Sequence, residues 1–104
     1  MLDEQTIEQE IQAKGLNAPR LTPESIDATI LYEEYFRVTN TTCTICSLVL
    51  TNGYVVVGKS AAASMANFDE ELGRKIARDN AREQIWALEG YLLKQKLYEQ
   101  HKSL

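Results

Sequence analysis

Histidine occurs once in this chain, as His101 close to its C-terminal end, and cysteine only twice, as Cys43 and Cys46. A single histidine there is a poor general base, and no Ser-His-Asp or Cys-His arrangement can be built around it. The acids lie mostly at helix-surface positions, so no catalytic residue and no cofactor is expected. Without a second Cys-x-x-C the four usual zinc ligands cannot be gathered in one chain, and no metal is expected either. The Cys-x-x-C spacing can mark a redox pair, but here it falls in a strand-like run, TTCTICSLVLT, where residues three apart face opposite sides. Reduced, structural cysteines are the reading that fits.

Long apolar runs are missing as well. None approaches the roughly 18 residues of a membrane span, and the acidic MLDEQTIEQE lacks the basic and apolar regions of a signal peptide. No membrane partner and a cytosolic setting are expected, so the sequon Asn40-Thr41-Thr42 reads as chance. Nor is there an excess of positive charge. The net charge is -4 and the isoelectric point near 5.0, which argues against a nucleic-acid partner. The charge is segregated: eight acids face Lys14 and Arg20 up to Glu34, whereas seven acids face seven bases from Asp69 onward. An anion is therefore expected on the second half.

What is present includes GYVVVGKS, Gly53 to Ser60, which fits the GxxxxGK(S/T) pattern of a phosphate-binding loop. A chain of 104 residues is short for the several parallel strands such enzymes place around that loop. Tyr54-Val55-Val56-Val57 is strongly strand-prone, so its amides are expected in a sheet ladder and not around phosphate. No later apolar strand ends in an acid that could hold magnesium.

The fold class expected is α+β in a single domain over residues 1–104. An N-terminal helix and linker occupy residues 1–22, with Ile7 and Ile11 one turn apart and Gly15 as C-terminal cap. Thr22 and Pro23 suit the cap and first position of a short second helix, Pro23 to Thr29. Three runs over 30–60, ILYEEYFRV, CTICSLVLT and YVVVGKS, read as an antiparallel meander. Asn52-Gly53 between the last two predicts a hairpin whose central positions both need positive φ. Residues 67–102 read as one long helix capped by Asn67, with Phe68, Leu72, Ile76, Ile85, Leu88 and Leu92 as its apolar stripe. Thirty such residues would extend about 45 Å, against about 33 Å for a compact domain of this length. Either the helix bends, at Gly90, or it projects and packs on another subunit. The extra apolar residues Trp86, Leu93 and Leu97 favour the projecting helix and a homo-oligomer.

On that helix Arg74, Arg78 and Arg82 are spaced by four and form one row. Glu70 can pair with Arg74 and Asp79 with Arg82, but the neighbours of Arg78 on its own helix include no acid. Either Arg78 reaches an acid elsewhere, such as Glu33 or Glu34, or it clamps a phosphate.

Together APRLTPESIDATI, TICSLVLTNGYVVVGKSA and NFDEELGRKIARDNAREQIWALEGYLL resemble a family of small phage-encoded proteins. The resemblance runs from about Gly15 to Leu97. It connects the chain with the phage anti-defence sponges that act against Thoeris, which sequester cyclic ADP-ribose isomers made by bacterial TIR enzymes without degrading them. Relatives of that sponge form hexamers, and some also hold cyclic oligonucleotides. The resemblance implies a non-enzymatic protein of the host bacterial cytoplasm, a homo-oligomer, and a small cyclic nucleotide ligand. Such a ligand needs cations for its pyrophosphate and an aromatic face for its adenine. Arg20 and Arg78 are the first phosphate candidates, Arg74 and Arg82 the weaker ones, and Tyr54 the stacking candidate. Asn67 is a candidate for the ribose or base. Each has a structural alternative: a loop charge for Arg20, a packing residue for Tyr54, a cap for Asn67. Phe36 and Arg37 are a further pair, with Phe36 expected in the core. Ala62 to Ala66, AASMA, departs from the cysteine- and proline-containing loop of the family, which leaves the choice of ligand open. The reading from another class is a small module that binds and inhibits a host protein.

Overall fold

The computed structural model describes residues 3–102. Helix α1, Glu4–Ala13, and helix α2, Pro23–Ala28, precede three strands, β1 (Ile30–Arg37), β2 (Cys43–Leu50) and β3 (Val55–Ala61). A single 3₁₀ turn, Met65–Asn67, leads into helix α3, Glu70–Lys102. The strands form one antiparallel sheet in the order β1-β2-β3, the expected meander of an α+β fold.

Local chemistry accounts for most boundaries. The Thr22 hydroxyl accepts from the Ser25 amide while the Ser25 hydroxyl accepts from the Thr22 amide, a reciprocal cap with Pro23 as the first helical residue. Gly15 ends α1 with φ 67°, a conformation that costs glycine little. The hairpin differs from the expected two-residue turn. Leu50 and Tyr54 close it through the Leu50 amide and Tyr54 carbonyl, the Gly53 amide donates to the Leu50 carbonyl, and Gly53 has φ 89° whereas Asn52 has no positive φ. This is a three-residue loop, an ordinary turn followed by a left-handed glycine, which also matches the twist of the strands. Asn52 instead accepts the Tyr54 amide on its side chain.

Alternation along β2 sends Thr44, Cys46, Leu48 and Leu50 to the buried face, while Cys43 lies on the other. Helix α3 covers that buried face. Its contact stripe is Ala77, Ala81 and Ile85, not the larger residues expected: Leu72, Ile76, Leu88 and Leu92 are exposed. The period was legible but the phase is set by Gly58, over which only small helix residues fit. Ile26, Leu48 and Ile85 are fully buried, each worth about 1.5–3 kcal/mol relative to exposure. Phe36, expected in the core, lies on the uncovered face and is exposed.

Helix α3 continues through Gly90 without a break. Its 33 residues would span about 50 Å, and the molecule measures 58 × 32 × 19 Å with a radius of gyration of 17.1 Å. The C-terminal half therefore projects past the end of the sheet.

Candidate ligand-binding site

The three arginines of the row lie along the β1 side of α3, and each meets an acid. Arg82 is the most buried: Nε donates to Asp27 Oδ1 (2.7 Å), Nη1 to Glu4 Oε2 (2.6 Å) and Nη2 to the Pro23 carbonyl (3.2 Å). These partners come from α1 and α2, in place of the Asp79 expected from helix spacing. Burial works against its charge, yet Glu4 and Asp27 outweigh it and raise its pKa. Arg82 is an anchor between the N-terminal helices and α3, with each of its three nitrogens paired.

Arg78 reaches Glu33 of β1, with Nε 3.3 Å from the carboxylate. Arg74 pairs with Glu70 at 3.3 Å and lies over the Tyr35 ring, 5.3 Å from its centroid. The Tyr35 hydroxyl donates to Glu33, and burial followed by that carboxylate pushes its pKa up. Burial likewise raises the Cys46 thiol, which keeps it neutral and fits a structural role. Arg37 stacks over Phe68 at 4.9 Å.

Arg20 lies elsewhere. Its guanidinium grips Glu8 of α1 in a two-pronged contact, 2.6 and 2.7 Å, and Nε donates to the Leu16 carbonyl. Beside it the Glu8 carboxyl is held down at about 2. Arg20 thus fastens α1 to the linker.

Tyr54 and Asn67 are on the opposite side of α3, along β3. This edge strand is covered by the helix itself: Asn80 Nδ2 donates to the Lys59 carbonyl at 2.9 Å and Gln84 Nε2 to the Val57 carbonyl at 2.6 Å. Asn67 does not cap α3. Asp69 does, its side chain accepting the Leu72 amide at 2.9 Å and its carbonyl the Gly73 amide. Asn67 ends the 3₁₀ turn and lines a cleft of about 380 Å³ with Phe68, Ser60 and Asn80. Beneath this end of the helix, the Ser60 hydroxyl donates to the Gly73 carbonyl, and the buried Thr44 hydroxyl has no partner among the described residues.

Tyr54 lines a second groove, about 560 Å³, where the β2–β3 turn meets the projecting half of α3. Its walls are Tyr54, Val56 and Asn52 on one side and Leu88, Tyr91 and Leu92 on the other. Tyr91, 72% exposed, is not among the sequence candidates, although it follows Gly90 in the segment NFDEELGRKIARDNAREQIWALEGYLL that carries the resemblance. Among the described residues no lysine or arginine lines this groove, and Glu89 does. Within one chain, then, the stacking candidate and the arginines are on different sides of the helix.

These features define a small α+β domain in which one helix lies across a three-stranded meander and flanks an aromatic groove. The chain belongs to the Phage protein (N4 Gp49/phage Sf6 gene 66) family, whose profile matches residues 21–97. That span holds both grooves, the sheet and most of α3 but leaves out α1. No curated protein and no solved structure matches the chain. Among the described residues no helix is long and apolar enough to cross a membrane.

Proposed function

We propose that this phage protein sequesters, without cleaving it, a small cyclic nucleotide signal in the host bacterial cytoplasm, a cyclic ADP-ribose isomer or a cyclic oligonucleotide. The observation that carries the reading is the groove lined by both Tyr54, from the β2–β3 turn, and Tyr91, from α3, each exposed. A slot between two tyrosines suits a planar base, because each ring contributes stacking of about 1–3 kcal/mol. The remaining amide ends, Asn52 Nδ2 and Gln84 Oε1, offer a donor and an acceptor to its edge.

Phosphate does not suit a groove lined by Glu89 and no cation. The pyrophosphate is therefore supplied with guanidinium groups by another subunit of a homo-oligomer, the hexamer implied by the family resemblance. Of the four arginines named for phosphate, Arg74 and Arg78 are in reach of solvent, being about half and a third exposed, whereas Arg20 and Arg82 are committed to internal pairs. The test is to load the purified protein with cyclic ADP-ribose isomers and cyclic oligonucleotides, denature it, and identify what is released. Intact ligand in stoichiometric amount supports sequestration. Fragments indicate an enzyme, and no retention of any of these ligands overturns the proposal.

A further inference from the structure

The sheet face that α3 leaves uncovered is apolar, with Tyr32, Phe36, Val55 and Val57 each about half exposed and Ile45 between them. Apolar side chains gathered on one uncovered sheet face in this way mark an interface. Ser47 interrupts it at the centre and two charges at opposite margins, Glu34 on β1 and Lys59 on β3. Both are exposed, and among the described residues neither has an ion partner. They belong to neighbouring cross-strand rows, Glu34 opposite Ser47 and Lys59 opposite Ile45, so β2 separates them within one sheet.

Two sheets pack face to face with their strands within about 30° of each other. A two-fold axis across the strands would lay β1 on the second copy's β1 and bring Glu34 near Glu34 and Lys59 near Lys59. An axis along β2 lays β1 on the second copy's β3. Each Lys59 then stands over the other copy's Phe36, where ammonium and ring attract, and one residue pair from its Glu34. Like charges are penalised in the first arrangement and opposite charges meet in the second.

We propose that this face is a sheet-on-sheet interface between two copies of the chain, with the two-fold axis along β2 and Lys59 of each copy between Phe36 and Glu34 of the other. The inference rests on the homo-oligomer reading above and assigns one of its interfaces.

Charge reversal tests it. In Glu34→Lys both members of every cross-copy pair are lysines, and in Lys59→Glu both are glutamates, so each variant alone should dissociate at about tenfold higher concentration or more. Mixed one to one, the Glu34→Lys chain presents a cation at both positions and the Lys59→Glu chain an anion at both. Both contacts in the mixed pair are then attractive, and native mass should show wild-type assembly restored. Rescue by mixing requires that both variants are folded, and far-ultraviolet circular dichroism checks each alone. Two folded variants that keep the wild-type mass, or that fail to assemble on mixing, overturn this interface and leave the oligomer intact. A wild-type chain that stays monomeric, or one whose sheet face is taken by a host protein in stoichiometric complex, overturns both.

Discussion

Gly58 of β3 and Ala77 of α3 are in backbone contact: a Cβ added to Gly58 would stand 2.3 Å from the Ala77 carbonyl oxygen and equally close to the Ala81 amide nitrogen. The second glycine of GYVVVGKS is therefore a packing glycine. It lets a helix lie directly on a strand, where a phosphate-binding loop would use its glycine to wrap an anion. The Val56 and Gly58 side of β3 faces α3, and the Lys59 carbonyl is capped by Asn80.

Replacing Gly58 by alanine forces the helix off the sheet, since the clashing atoms are backbone and cannot rotate away. The expected loss is about 3 kcal/mol, at the top of the range for overpacking, read as a fall in the denaturant midpoint. Measured at a dilution where the chain is monomeric, Lys59→Ala should leave stability within about 0.5 kcal/mol, as for surface substitutions generally. Equal and small effects at both positions would remove the role given to Gly58.

Much of this fold was legible because its signals are local. Thr22-Pro23, Gly15 and Gly53 each satisfy a nearby backbone requirement, whereas CTICSLVLT carries apolar residues on both faces and does not by itself name the buried one. The phase of α3 was not legible. Leu72 and Leu88 outweigh Ala77 and Ala81 in any hydrophobic count, and only the long-range contact with Gly58 reverses that order. The site was less legible still. Arg82 finds its acids 55 and 78 residues away, and the aromatic groove appears only when a turn meets a helix more than thirty residues further along the chain.

Arg82→Ala removes a buried guanidinium with three partners. Hydrogen bonds to charged groups contribute about 1.5–3 kcal/mol each, but Glu4 and Asp27 keep access to water and recover part of that. A net loss of about 2–3 kcal/mol is expected in the denaturant midpoint. Arg82→Lys should recover little of it, since one ammonium cannot span Asp27, Glu4 and the Pro23 carbonyl together. A lysine variant as stable as the parent would show that charge alone suffices.

Helix α1 has no buried residue and is held by polar contacts, Glu8 to Arg20 and Glu4 to Arg82 and Trp86. Folding lowers the Glu8 carboxyl from its ordinary 4.5 to about 2. Its contribution is thus fully present above pH 4.5 and is lost as the pH falls through about 2. Trp86 is the only tryptophan, and its indole N–H donates to Glu4 at 3.2 Å, so its emission reports whether α1 is docked. An emission change below pH 4.5 is expected in the parent. In Glu8→Gln the undocked signal should already be present at neutral pH. Identical acid titrations in the two proteins would rule out this linkage.

Ligand affinity separates the two sides of α3. Tyr54→Ala should weaken binding of an adenine-containing cyclic nucleotide by about 5- to 150-fold, the equivalent of one lost stacking contact, while Tyr54→Phe retains it. Tyr54 is more than half exposed, so neither change should move the melting temperature appreciably. On the other side, Arg78 commits its Nε to Glu33, and that carboxylate competes with a phosphate for the guanidinium. Glu33→Gln releases it at a stability cost of about 1 kcal/mol or less, as for other exposed pairs. If Arg78 is the phosphate donor, that variant binds the ligand more tightly than the parent, whereas Arg78→Ala binds it more weakly in either background. Calorimetry on the four proteins distinguishes the outcomes: an affinity that ignores Glu33→Gln would mean that Arg78 serves β1 alone and that the cations come from elsewhere in the oligomer.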